Sequence, residues 1–286
     1  LVYADCVLFL ISFLVQKNKQ MARISVLMGI YNCAPTLQEA LDSLYAQTYQ
    51  DFKIILCDDG SKDDTLKIAE DNARQHENVI VIKNERNMGL NYTLNHCLKY
   101  ADTEYVARMD GDDLSMPTRF EKEIKFLDEH PEYAIVSTPM VHFDENGEFM
   151  RGAVEEGEPH KSKFNYGSPF CHAPCMVRTK AYKDVGGYTV DERLLRMEDY
   201  NLWMKMYVAG YRGYNLPNYL YSMRDDKNAI KRRTLKARIN GINAHWIAYK
   251  ELHLSFLLFC KYAVGNVMLG LLPIGIYKFL RKIKNK

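Results

Sequence analysis

The chain has 286 residues, 47% apolar, 26% charged and 12% aromatic, with a formal net charge of +2. That length suits one or two domains with a sizeable core, and the composition excludes disorder, a collagen-like chain and a disulfide miniprotein. The near-neutral total carries no nucleic-acid footprint, so no nucleic-acid partner is expected, yet it hides an asymmetry. Residues 221–286 hold 14 Lys+Arg against 3 Asp+Glu, which leaves residues 1–220 at −9. The seven cysteines are scattered and odd in number, which fits reduced, cytosol-facing thiols. Cys171, His172 and Cys175 have no second pair at zinc-like spacing, so core packing is expected there rather than a structural metal.

The first feature along the chain is a ten-residue apolar run, Cys6–Val15, too short to span a bilayer and without a basic leader or a small-residue cleavage site. Residues 1–20 are therefore expected to be an extension outside the fold, with an ordinary start at Met21. Ile24–Ile30 reads as a buried strand. Pro35 opens a helical stretch with Leu37, Ala40, Leu41, Leu44 and Tyr45 at 3/4 spacing. Phe52–Cys57 is a second strand, ending in Asp58-Asp59-Gly60-Ser61. A helix over 65–74, a strand over 79–83, a helix over 89–99 and a strand over 105–109 follow. The last of these ends in Asp110-Gly111-Asp112-Asp113. Residues 117–129 are helical and 134–138 strand-like. Alternation at this pitch predicts βαβ units and an α/β fold with a Rossmann-like, mostly parallel sheet flanked by helices.

In such a sheet ligands bind beyond the carboxyl ends of the strands, which is where both acidic clusters stand. Crowded carboxylates repel, a cost tolerated when a cation or a ligand donor compensates. The turn after the first strand, Gly29-Ile-Tyr-Asn-Cys-Ala, has one glycine, and no Gly-x-x-x-x-Gly-Lys-Ser/Thr loop occurs. A diphosphate held without a glycine cradle calls for a divalent cation, and Asp-x-Asp supplies hard oxygen ligands for Mg²⁺ or Mn²⁺. Either cluster alone would read as a surface turn or a helix cap; two at strand ends with complementary needs read as a site.

Six segments in order carry a resemblance: Ile24–Asn32, Gln47–Phe52, Cys57–Ser61, Asn84–Leu90, Met109–Asp113 and Met197–Trp203. Over residues 23–220 the chain resembles the family 2 glycosyltransferases of GT-A fold, inverting enzymes that use nucleotide-diphospho sugars. The resemblance implies that Asp59 accepts from N3–H of a uracil-type base, that Tyr31 flanks the base and that Asp110 lies near the ribose. Asp112, and with it Asp113, would face the metal and diphosphate. Glu198-Asp199 matches the family's acidic pair, in which the Asp is usually the base. An inverting transfer needs one such carboxylate to take the acceptor's proton as its oxygen attacks opposite the leaving diphosphate. A helix N-terminus alone would also favour these acids. His172 lies in a stretch resembling the segment that lines the sugar pocket, though a lone His more often packs. Arg86 could approach phosphates, and Trp203 reads as core.

The domains expected are thus 1–20 outside the fold, a GT-A domain over 21–220, and a helical region over 221–286. In that last region 254–280 is mostly apolar, with Lys261 and Lys278 its only charges, Pro273 inside it, and cations on both flanks. This pattern suits attachment to an anionic membrane surface; the rival is a helix packed on the domain or in a homodimer. The expectation is a UDP-sugar-dependent transferase on the cytoplasmic face of a bacterial membrane, extending a cell-surface polysaccharide or lipid-linked oligosaccharide. The rivals are a nucleotidyltransferase, which normally carries a Gly-rich basic loop, and a non-catalytic sugar- or partner-binding module on a decayed transferase, which should have lost Asp112 or the Glu198-Asp199 pair.

Overall fold

The computed structural model describes residues 22–225 and 234–271. The apolar run at 6–15, part of the 227–238 cation cluster, Pro273 and the terminal lysines lie outside these residues. Strand β1 (Ile24–Ile30) leads into α1 (Ala34–Tyr45), β2 (Phe52–Asp58), α2 (Thr65–Gln75), β3 (Val79–Lys83), α3 (Leu90–Leu98) and β4 (Tyr105–Arg108). Every element expected up to this point is present, with its ends shifted by a residue or two. The short β5 (Leu114–Ser115), α4 (Arg119–Glu129), β6 (Ile135–Ser137) and the hairpin β7 (Met140–Asp144)/β8 (Gly147–Arg151) follow. The remainder comprises β9 (Met176–Arg178), α5 (Thr179–Asp184), α6 (Glu198–Val208), β10 (Gly213–Asn215), β11 (Tyr221–Arg224), α7 (Leu235–Leu252) and α8 (Phe256–Leu271).

Seven strands form the central sheet in the order β10-β6-β9-β4-β1-β2-β3. β1 runs parallel to β2 and β4, β2 to β3, and β6 to β10. β9 alone is antiparallel, lying between β4 and β6. The reason is topological: β6 finishes at the carboxyl edge and residues 138–175 stay on that side, so the next strand to enter the sheet runs back. The two faces alternate as a strand pleat requires. Val26, Met28, Ile54 and Leu56 face Leu37, Leu41, Leu44, Phe120 and Leu127. Leu27, Ile55, Val106 and Val177 face Leu94, Cys97, Tyr182, Leu202 and Trp203. Trp203 is fully buried, as its expected core role requires, and Cys175 packs beside it.

A second sheet, ordered β5-β11-β7-β8, stands beyond the carboxyl edge of the first. The boundary expected at 220 falls one residue before β11, which pairs with both β5 and β7. Helix α7 joins the body as well: Ala244, Ala248 and Leu252 are buried in the same cluster as Trp203. Thr234 caps it, accepting from Ala237 N–H at 3.2 Å. His245 of α7 is stacked between Tyr200 of α6 and Tyr262 of α8, with ring centroids 4.5 and 3.5 Å away. The region after 220 therefore begins as part of the fold, because its small and aromatic residues fill the groove beside α6. α7 leaves Leu235, Ile239 and Trp246 exposed, and α8 turns a longer set of apolar residues outward, among them Phe256, Val264, Met268 and Leu257, the last 78% exposed. No described helix is long and apolar enough to cross a membrane.

Candidate active site

The turns after β1, β2 and β4 meet at the carboxyl edge, where β1–β2 and β1–β4 pairing fixes their heights. Asp59 N–H donates to Ile30 O at 2.9 Å, seating the second turn on the first. Asn32, at φ 48°, accepts from Lys62 N–H at 2.8 Å and donates its own N–H to Ser61 Oγ at 3.0 Å. Gly60 has φ +76°, and a Cβ there would lie 2.9 Å from backbone atoms of Arg86 and Asn87, so glycine is required.

Asp59 is buried and its carboxylate is largely taken up by the protein. Oδ1 accepts from Asn84 Nδ2 and Met88 N–H, both at 2.8 Å, and Oδ2 accepts from Gly89 N–H at 2.9 Å. Of about four lone-pair positions on a carboxylate, one is left for a ligand. Its evident work is to pin the 84–89 loop. Arg86, within that loop, is exposed, and so is the ring of Tyr31.

The Asp110–Asp113 segment separates its carboxylates by role. Asp110 pairs with both terminal nitrogens of Arg108 at 2.7 Å, the guanidinium itself being buried. Asp113 is buried; Tyr221 OH donates to its Oδ2 at 2.9 Å and Arg224 N–H to its Oδ1 at 2.8 Å. Burial, followed by the charges of Asp110 and Asp112, pushes the Asp113 carboxyl up to about 8. Asp112 alone is exposed, sharing a cleft of about 540 Å³ with Tyr31, Thr36 and Arg224. The surrounding protein and the charge of Asp110 raise its pKa too. Among the described residues no three His, Cys, Asp or Glu side chains gather into a metal site. The donor set here fits a hard divalent ion held by one carboxylate that draws its other ligands from phosphate and water. Asp113, buried and accepting one bond on each oxygen, sits deeper than Asp112 behind this cleft.

Opposite stands the first turn of α6. Glu198 accepts from Arg196 N–H at 2.9 Å. Asp199 is half-buried against the Ser168 hydroxyl, and burial raises its pKa against the opposing pull of the Tyr200 N–H and Arg108. His172 Nε2 lies 2.8 Å from Tyr188 OH and its ring is edge-on to Trp203. Burial, then Arg108, holds its pKa well below the usual range, so it is a neutral hydrogen-bonding group. Arg108 is the residue that the sequence reading passed over: its charge acts on Asp110, Asp112, Asp199 and His172 together. The available signal was a lone arginine inside the apolar strand Tyr105–Met109.

A twisted α/β sheet with an acidic, glycine-poor carboxyl edge and a second acidic pair at a helix start defines a GT-A-type transferase architecture. The chain belongs to glycosyl transferase family 2, whose pattern matches residues 25–186, and it is a glycosyltransferase. It is 43% identical over 234 residues to EpsE of Bacillus subtilis (strain 168), covering 81% of this chain and 84% of that protein. It is 31% identical over 267 residues to the UDP-Gal:alpha-D-GlcNAc-diphosphoundecaprenol beta-1,3-galactosyltransferase of Escherichia coli, covering 91% and 95%. In fold it is similar to S. aureus TarS 1–349 in complex with UDP, with TM-score 0.65 and 23% identity over 86% of this chain and 70% of that one. It is likewise similar to the mannosyltransferase PcManGT of Pyrobaculum calidifontis, solved with GDP-Man and Mn²⁺, with TM-score 0.61 and 20% identity over 93% and 81%.

Proposed function

We propose that this glycosyltransferase moves a sugar, with inversion, from a UDP-sugar to a hydroxyl of a lipid-linked or cell-surface glycan. The observation that carries the reading is that Asp112, after β4, and Asp199, at the start of α6, both lie in the field of one buried guanidinium, Arg108. In the transfer the acceptor oxygen forms a bond to the anomeric carbon. The bond from that carbon to the diphosphate oxygen breaks, its electron pair leaves with the UDP, and the acceptor's proton passes to Asp199. A half-buried carboxylate with a raised pKa is a stronger base than an ordinary one, as this step needs. Because the attack is direct, one base suffices.

Asp112 would hold Mg²⁺ or Mn²⁺, which when bound offsets charge on the departing diphosphate. Tyr31 would lie against the base and the remaining lone pair of Asp59 would accept from its N3–H, with Asp110, fixed by Arg108, beside the ribose. His172, neutral and bonded to Tyr188, would face the transferred sugar, and Arg86 would reach the phosphates from the pinned loop. The E. coli relative's name, with its UDP-sugar donor and diphosphoundecaprenol acceptor, supports the donor and acceptor classes. A lipid-linked acceptor fits the outward apolar face of α8 and the cationic composition of 221–286, which together suit a peripheral seat on the anionic cytoplasmic leaflet.

Isothermal titration of UDP-galactose, UDP-glucose and UDP-N-acetylglucosamine, each with and without Mn²⁺, tests the donor assignment. Manganese-dependent binding that is lost in Asp112→Ala is expected. Metal-independent binding of equal strength in both proteins would reject it.

A further inference from the structure

A second cavity, of about 510 Å³, is left unused by this reading; residues 153–160, 163 and 168–171 and Asn215 of β10 line it. Its volume is typical of small-molecule sites, roughly 300–1,000 Å³. Two of its carboxylates are already paired, Glu155 with Lys163 and Glu158 with Arg212. Glu156 is exposed and has no ionic partner among the described residues. Asn215 is 2% exposed; its Nδ2 donates to Pro169 O at 3.1 Å, while its Oδ1 ends without any donor. Leaving a buried amide oxygen unpaired costs on the order of 1–3 kcal/mol, so a donor arriving there would be well received. Val154, Pro159 and Pro169 supply an apolar wall.

Spare acceptors beside a dry wall suit a ring whose hydroxyls donate and whose C–H face packs. They repel phosphate, which separates this cavity from the donor side. Ser168 and Cys171 belong to its lining and also lie near Asp199: Ser168, whose hydroxyl donates to Phe170 O at 2.9 Å, is among the groups that pull the Asp199 pKa down, and the Cys171 thiol is raised first by burial and then by the Asp199 charge. We infer that this cavity binds a neutral sugar ring of the acceptor, delivering its hydroxyl to Asp199 across the Ser168–Cys171 wall. The inference rests on the reading of Asp199 as the base.

The test uses the full chain with UDP and Mn²⁺ present and reads saturation-transfer NMR signals from galactose, glucose and N-acetylglucosamine. At least one sugar should give a signal in the unaltered protein. Val154→Trp, a filling change in a loop without regular structure, should abolish it, and Glu156→Gln should weaken it at least fivefold. UDP affinity should stay within twofold in both variants. No signal from any of the three sugars while UDP still binds, or a signal that survives Val154→Trp, would overturn the cavity assignment and leave the donor reading standing. Failure of UDP itself to bind would instead bring down the transferase reading on which the cavity depends.

Discussion

Arg108 and Asp110 form a fork-to-fork pair, both contacts at 2.7 Å, with the guanidinium inside the protein and the carboxylate side chain 31% exposed. The asymmetry orders two substitutions. Asp110→Ala strands a buried positive charge, whereas Arg108→Met leaves a carboxylate that water reaches. Asp110→Ala should therefore lower the urea midpoint more, by an amount equivalent to about 2 kcal/mol, below the usual range for broken buried pairs because Asp110 is partly solvated. Equal midpoints for the two variants would contradict the pairing.

Replacing Asp199 by Asn keeps shape and removes the proposed base. Turnover should fall roughly 10²- to 10⁴-fold, the span associated with a positioned general base, while UDP titration is unchanged. In the unaltered enzyme the acidic limb of kcat/KM should lie above the ordinary carboxylate range, because burial raises this group and activity needs its ionised form. A limb at the ordinary carboxylate position would argue against Asp199.

Gly60→Ala would place a methyl 2.9 Å from the 86–87 backbone at a positive φ. The strain should cost about 1–3 kcal/mol and loosen the loop that Asp59 pins. Thermal unfolding and UDP titration should both weaken; a variant with unchanged melting would show that the loop accommodates the methyl.

His245 is held down to about 4 by burial between two tyrosine rings, so it is neutral in the fold. A depressed histidine contributes its full stability above the unfolded value of about 6.5 and loses it as pH falls toward 4. Between pH 7 and pH 5 the loss should be about 2 kcal/mol from this group. His245→Asn should flatten that part of the stability profile; an unaltered slope would assign the acid sensitivity elsewhere.

On α8, Leu257, Val264 and Met268 share one face with Lys261. Vesicles of phosphatidylglycerol with phosphatidylcholine should co-sediment the protein, and added salt or the double change Leu257→Asp/Met268→Asp should release it. If the double variant instead converts a dimer to a monomer and leaves sedimentation with vesicles untouched, the face belongs to self-association.

Apart from the two-residue β5, the strands and helices from Ile24 to Glu129 were legible because each is a local pattern, such as the almost wholly buried Ile24–Ile30 or the 3/4 spacing of Leu37 to Leu44. β9 was not, since three residues acquire a direction only from where the preceding excursion leaves the chain. The carboxyl-edge placement of Asp59 and Asp112 was equally readable. The division of labour among Asp110, Asp112 and Asp113 was not, because it depends on Arg108, Tyr221 and Arg224, whose approach no spacing rule encodes.

The short β5 ties Asp112 to a sheet that the central strands do not share, through Ser115 opposite Tyr221 and through Asp113 held by Tyr221 and Arg224. A tilt of that smaller sheet would swing Asp112 like the tip of a lever, while Asp110 stays anchored below by Arg108. The gap proposed for the diphosphate would then be set by the seam between two sheets, which meet where Tyr221 pairs with Ser115 and bonds to Asp113.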